Sequence, residues 1–222
     1  LQVVNPELFS TLSLNTGLQL KATAPTRGLI YDRNGIVLAE NRPIYLLEVT
    51  PEEVPDMKAT LAGLSEVVNL SETDIERFRQ FLRNKRQFEA VPLRFNLDET
   101  EVAHFAINRH RFPGVDIAAR LTRHYPFGTS VVHVLGYMGR ISERDLTYID
   151  ESNYRATSHI GKLGIEQNYE SELHGTAGYQ QVEVNVQGRV LRVVEENPAI
   201  PGQDLYLTLD IHLQQVAEEA WG

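Results

Sequence analysis

Charged residues in four clusters lie beside glycines and prolines and include residue types that acid–base chemistry uses. The clusters are Arg27, Gly28, Asp32, Arg33, Asn34 and Gly35; Arg123, Tyr125, Pro126 and Gly128; Gly161, Gly164, Glu166 and Tyr169; and Glu183, Asn185, Gly188 and Arg189. A catalytic interpretation would need an activated nucleophile or a metal-ligand set, and none of the clusters contains either. We therefore interpret them as a structural motif of buried or half-buried ion pairs, with glycine supplying the turns.

The first and third clusters are predicted to be joined by one ion-pair network. Arg27, Asp32 and Arg33 supply charges of both signs beside a Gly-rich turn, and Glu166 lies beside another. A buried charge requires a partner, so four such residues are expected to pair with one another.

Other chemistries find little support in the residue patterns. The 222 residues include no cysteine, which excludes thiolates and disulfides. The seven histidines never fall in a His-x-x-x-His pair, and Ile36 and Pro43 stand where a calcium loop starting at Asp32 needs ligands. We predict no metal and no cofactor. No spacing among the thirty acidic residues singles out a pair for glycan hydrolysis.

Net charge argues against a nucleic-acid partner. The chain carries 21 basic and 30 acidic residues, a formal net charge of −9, whereas phosphate binding depends on clustered Lys and Arg. Ten basic and five acidic residues fall between Arg77 and Arg123, which indicates either a solvated helical face or a basic contact lobe.

The elements that must position these clusters alternate between strand and helix patterns. Asn34-Gly35 between apolar runs predicts a β-hairpin. Start signals at Ser71 and Asp98, each followed by an acidic residue three positions later, predict two helices. Val131–Leu135 is expected to be a buried strand, and Asp210 is expected to cap a final helix.

Together these patterns predict an α+β fold, with a β-rich anchor lobe and an inserted helical head lobe. The anchor lobe is expected at 1–43 and 121–204, and the head lobe at 44–120. Three short helices would not bury every apolar residue of the head lobe, so a partner-binding aromatic surface is predicted there. Its residues are Phe78, Phe81, Phe88 and Phe105. The alternative is that these four phenylalanines all fill the lobe's own small core.

The clusters, in this order, resemble the non-catalytic N-terminal module of class B penicillin-binding proteins. The resemblance is closest to the elongation-specific peptidoglycan D,D-transpeptidases of that family. The segments that carry it are Arg27–Gly35, Arg123–Gly128 with His133 and Gly136, Ile160–Glu166, Phe112–Val115 and Leu205–Asp210. Several long motifs in fixed order are far more specific than any one of them.

The resemblance implies a pedestal that raises a transpeptidase domain from the membrane. Residues 205–222 would be the start of that domain, truncated here, and a missing N-terminal helix would anchor the protein at the periplasmic face of the bacterial inner membrane. The implied partners are the rod-system SEDS glycosyltransferase and rod-shape-determining protein C. No Ser-x-x-Lys is present, so this chain is expected not to catalyse.

Two alternatives remain open from the residues alone. The first is a self-contained envelope enzyme that acts on glycan through a carboxylate pair. The second is a free-standing periplasmic adaptor that has no catalytic domain.

Overall fold

A computed structural model of the chain describes residues 17–83, 85–185 and 190–221. It divides into two compact units. The first unit contains the described residues up to Asn41 and those from Arg123 onward, and the second contains Arg42–Thr122. Helices and strands alternate along both parts of the chain, so the predicted α+β class is confirmed.

The strands follow one another in this order: β1 (Leu18–Thr23), β2 (Ile30–Tyr31), β3 (Val37–Val49), β4 (Val91–Leu97), β5 (Val115–His124), β6 (Met138–Arg140), β7 (His159–Gly161), β8 (Gly178–Val184), β9 (Val190–Asn197) and β10 (Leu205–Tyr206). The α-helices are α1 (Met57–Leu64), α2 (Glu72–Arg83), α3 (Glu99–Asn108), α4 (Thr129–Leu135), α5 (Glu151–Tyr154), α6 (Gly164–Asn168), α7 (Glu170–His174) and α8 (Ile211–Trp221). Single 3₁₀ turns occupy Pro51–Glu53, Arg109–Arg111 and Asp145–Thr147.

The first unit contains three small pairings of strands. β1, β8 and β9 form an antiparallel sheet in that order, and β6 pairs with β7. β2 pairs antiparallel with the start of β3 across the predicted hairpin, while β10 lies parallel to β2. The core of this unit brings together distant parts of the chain, including Ile30, Leu38, Leu135, Leu173 and Ile211, all of them fully buried.

The second unit has its own core beneath three helices. β4 pairs antiparallel with the end of β3, and β5 also pairs with β3. Leu47, Leu64, Phe78 and Phe105 are among the residues buried between this sheet and the helices. Both start signals are confirmed, because Ser71 with Asp74 and Asp98 with Glu101 exchange reciprocal hydrogen bonds at the helix ends.

The sequence-based assignment was wrong in two places. The segment predicted as a helical head lobe also contains β4 and parts of β3 and β5, so that segment is mixed rather than helical. Val131–Leu135 lies in helix α4 rather than in a strand, since Val131 and Leu135 are buried on one helical face while Val132 and Val134 are exposed. Gly188, one of the glycines expected to supply a turn, lies outside the described residues.

Candidate functional site

The carboxylate of Glu166, on helix α6, is fully buried. Its two oxygens are held by side chains from two other segments. Arg27 Nε donates to Oε2 at 2.8 Å, and Arg123 Nε donates to Oε1 at 2.7 Å. The Tyr125 hydroxyl donates to Oε1 at 3.2 Å. The first, second and third clusters therefore meet at one carboxylate.

Arg27 extends this arrangement to a second carboxylate. Its Nη2 lies 2.7 Å from Glu170 Oε2 and also donates to the Glu166 carbonyl at 3.0 Å. Burial acts to lower the pKa of Arg27, but the hydrogen bond to Glu170 and the charges of both glutamates outweigh it and raise the pKa. Glu170 in turn accepts from the Tyr154 hydroxyl at 2.8 Å and from the Gly161 backbone at 3.0 Å.

Asn41 completes the arrangement between the two arginines. Its Nδ2 donates to the Arg27 carbonyl at 2.6 Å, and its Oδ1 accepts from Arg123 Nη1 at 3.2 Å. Arg123 Nη1 also donates to the Gly28 carbonyl at 2.7 Å. We call Arg27, Asn41, Arg123, Glu166 and Glu170 the buried charge network. Sequence analysis missed Asn41, which lies outside the four clusters, and it did not assign Glu170, the residue after Tyr169, to the network.

The prediction that Asp32 and Arg33 belong to the same network was wrong. Asp32 Oδ1 instead accepts backbone N–H bonds from Asn34 at 2.7 Å and Ile36 at 2.8 Å, and Oδ2 accepts from Ile211 N at 3.3 Å. Burial acts to raise the pKa of Asp32, but these backbone hydrogen bonds outweigh it and the net pKa is lowered. Asp32 thus closes its own turn and contacts the start of α8.

Arg33 and Asn34 bind the same later segment. Arg33 Nε donates to the Thr208 carbonyl at 2.8 Å, and Asn34 Nδ2 donates to Asp210 Oδ2 at 3.1 Å. Nearby, Leu29 N donates to a carboxylate oxygen of Asp204 at 2.7 Å. We call residues 204–211 the outgoing segment and the set of bonds from residues 29–34 to it the clamp.

Two glycines permit close backbone approaches at these sites. A Cβ on Gly28 would lie 1.9 Å from the Gln203 carbonyl oxygen, next to the outgoing segment. Gly164, just before Glu166, has a φ of +61°, and a Cβ there would lie 2.5 Å from the Val134 carbonyl. Both positions therefore require glycine for steric reasons.

Among the remaining residues of the four clusters, Gly161 contacts the buried charge network, because its backbone N–H donates to Glu170 at 3.0 Å. Pro126 and Gly128 belong to the turn before α4, in which Gly128 N donates to the Tyr125 carbonyl at 3.1 Å. Glu183 pairs with Arg192 across β8 and β9 at 2.6 Å, in a solvent-exposed position. Gly35 lies in the turn before β3, and Gly161 lies at the end of β7. Tyr169 lies between α6 and α7, and Asn185 follows β8. Gly188 and Arg189 lie outside the described residues.

The four phenylalanines predicted as an aromatic surface have different environments. Phe78 and Phe105 are 0% and 1% exposed and belong to the core of the second unit, so the prediction that they face a partner was wrong. The prediction failed because the β-sheet under the helices enlarges the core that they fill. Phe81 and Phe88 are half-buried.

The chemistry available in these arrangements is structural. Glu166 and Glu170 are neutralised by the two arginines, and Glu166 is inaccessible to a substrate, so this pair cannot exchange protons with a glycan. No group of three His, Asp or Glu residues that could hold a metal ion occurs in the part of the chain that the structure describes. Within that part, no helix is both long and apolar enough to cross a bilayer.

These features define a module whose buried charges join its own segments. The profile of the penicillin-binding protein dimerisation domain matches residues 22–207, so the chain belongs to that family.

Curated relatives agree with this assignment. The chain is 46% identical over 222 residues to the peptidoglycan D,D-transpeptidase MrdA of Escherichia coli K12, covering 98% of this chain and 35% of that protein. It is 37% identical to MrdA of Haemophilus influenzae, with 99% and 34% covered, and 32% identical to penicillin-binding protein 3 of Bacillus subtilis, with 93% and 30% covered. The chain thus spans about a third of the length of these relatives.

A solved structure shows the same fold. It is the complex between penicillin-binding protein PBP2 and MreC from Helicobacter pylori, with a TM-score of 0.68 and 24% sequence identity. The match covers 93% of this chain and 39% of that one.

Proposed function

We propose that this chain is the non-catalytic pedestal module of a peptidoglycan D,D-transpeptidase that acts in cell-wall elongation. The observation that carries the proposal is the clamp, in which Asp32, Arg33 and Asn34 bind residues 208–211. The family profile ends at residue 207, so the clamp binds the chain just where it leaves the family region. A pedestal needs such a contact, because it must fix the direction of whatever follows.

The clamp can be tested by removing its exposed arginine. Arg33→Ala removes a side chain that donates to the Thr208 carbonyl without opening the core. Amide hydrogen exchange of residues 208–213 is expected to accelerate, while that of the helices in the second unit stays unchanged. Arg120→Ala, which removes a solvent-exposed arginine paired with Glu48, is the matched control. Equal exchange at 208–213 in both variants would contradict the proposal.

We further propose that the parent protein lies at the periplasmic face of the bacterial inner membrane and works with two partners. One is rod-shape-determining protein C, because the fold matches a PBP2 structure solved with MreC. The other is the rod-system SEDS glycosyltransferase, which rests on the family resemblance of the motifs. We propose that the chain is divided into an anchor lobe (1–43 and 121–204) and a head lobe (44–120).

The partner surface is proposed to include Phe81 and Phe88, the half-buried aromatics of the head lobe. Titration of the periplasmic domain of rod-shape-determining protein C should show weaker binding to Phe88→Ala than to the unchanged chain. Ile107→Ala removes another apolar side chain of the same unit, 74% exposed, and should bind normally. Equal affinities for all three chains would place the contact elsewhere.

A further inference from the structure

A groove between helices α1 and α2 is the most distinctive surface that the proposed function leaves unused. Its volume is 440 Å³. The apolar side chains that line it include Met57 and Leu61 from α1 and Ile75 and Leu82 from α2, all of them half-buried. The groove lies wholly within the second unit and has the size of pockets that hold side chains of a ligand.

The groove stays open because of the residue sizes on α1. Ala62 and Ser65 line it where larger side chains would fill the space, and both are exposed. Beneath them Phe78 is fully buried and forms part of the core. The apolar floor is therefore supported by the fold and does not depend on a partner.

The rims of the groove are cationic. Lys58 on α1 and Arg79 on α2 line it and are both exposed, and the lining contains no acidic residue. Among residues 17–83, 85–185 and 190–221, neither cation has an acidic partner within ion-pair distance. Two exposed cations beside an apolar floor stand out in a chain of net charge −9.

We propose that this groove docks an amphipathic helix of another protein, with aliphatic residues on one face and Asp or Glu on both flanks. Helices recognised in grooves place side chains at i, i+3, i+4 and i+7 against an apolar floor. Carboxylates on the flanks would meet Lys58 and Arg79, one on each rim, and complementary charge sets the orientation and the rate of encounter. The inference goes beyond the proposed function and does not depend on it.

The test uses a fluorescein-labelled synthetic helical peptide with leucines on one face and glutamates on its flanks. Fluorescence anisotropy compares it with two matched peptides in which every flanking glutamate is glutamine or lysine. We expect the glutamate peptide to bind about tenfold more tightly than the glutamine peptide and the lysine peptide to bind least. Added salt should reduce the difference. Equal affinity for all three peptides would overturn the proposal.

Two variants locate the binding. Lys58→Glu reverses one rim, and Ala62→Trp fills the groove; both side chains are exposed, so either variant alone suffices if the other misfolds. Each is expected to weaken binding of the glutamate peptide about tenfold or more. Lys21→Glu makes the same charge change on β1 in the other unit and should leave binding unchanged. Loss of binding in Lys21→Glu to the same extent, or unchanged binding in Lys58→Glu and Ala62→Trp, would overturn the proposal.

Discussion

At the scale of single residues, the molecule uses buried charge to hold separate segments together. Glu166 accepts from two arginines that lie 139 and 43 positions away in the sequence. A fully buried carboxylate is stabilised only if its charge is compensated, and here both oxygens are occupied. Removing one partner should therefore destabilise the fold, because the remaining charges stay buried without compensation.

Replacing Glu166 is therefore expected to be costly. Glu166→Gln leaves Arg27 and Arg123 with one buried counter-charge fewer, and the free energy of unfolding should fall by about 3–5 kcal/mol. Glu183→Gln removes a carboxylate from the exposed pair with Arg192 and should cost about 0–1 kcal/mol. Urea denaturation measures both. Similar losses in the two variants would show that burial does not distinguish these pairs.

His174 is expected to make stability depend on pH. It is 4% exposed and stacks on Tyr154 at 3.9 Å, and burial lowers its pKa against the opposing effects of the Gly175 carbonyl and Glu170. The unfolded chain, with an ordinary histidine pKa of about 6.5, then binds the proton first as pH falls. The stabilisation is complete above that pH and is lost as pH falls from about 6.5 through the lowered folded pKa.

The measurement is urea denaturation of the unchanged chain and of His174→Phe between about pH 5 and 7. The variant keeps an aromatic ring against Tyr154 but cannot take up a proton, so its stability should change less with pH. His104→Gln removes an exposed histidine on α3 and should retain the pH dependence of the unchanged chain. Identical profiles for His174→Phe and the unchanged chain would assign the dependence to other groups.

At the scale of elements, β2 and its hairpin position the start of α8. β10 lies parallel to β2, and the clamp continues this contact through Thr208 to Ile211. Gly28, just before β2, allows the backbone of Gln203 to approach. The direction of α8 therefore depends on Gly28 and on the hydrogen bonds of the clamp.

A methyl group at Gly28 should separate the outgoing segment from β2. Gly28→Ala places a Cβ 1.9 Å from the Gln203 carbonyl oxygen, and the overlap is expected to cost about 3 kcal/mol or more in the free energy of unfolding. Gly35→Ala meets open space, and its φ of +81° alone should cost about 1 kcal/mol. Thermal denaturation compares the two variants. If Gly35→Ala lowers the stability more than Gly28→Ala, the close approach at Gly28 does not require glycine.

The elements show which features could be predicted from the sequence. The capping boxes at Ser71 and Asp98 were predicted correctly because both partners lie within four residues. The pairing of Arg27 with Glu166 was predicted because both charges lie beside Gly-rich turns and a buried charge requires a partner. Asn41 was not, because only the fold brings its amide between two arginines. Helix α4 was assigned as a strand because a short apolar run rich in valine fits a buried strand as well as a buried helix.

At the scale of the whole molecule, each unit has its own core and its own surface. The first unit contains the buried charge network and the clamp, and the second contains the cationic groove. An acid–base enzyme would need a free pair of carboxylates, and both glutamates of the buried charge network are paired with arginines. The proposed pedestal function therefore assigns positioning and binding to this chain.

The measurement that tests this claim most directly is labelling of the 222-residue chain with a fluorescent penicillin, followed by denaturing electrophoresis. Acylation requires an activated serine, and none of the four lysines is preceded by serine at the third position. We expect no fluorescence at 25.1 kDa, whereas a full-length MrdA relative, the positive control, is labelled. A labelled band at 25.1 kDa that is lost on competition with unlabelled penicillin would contradict it.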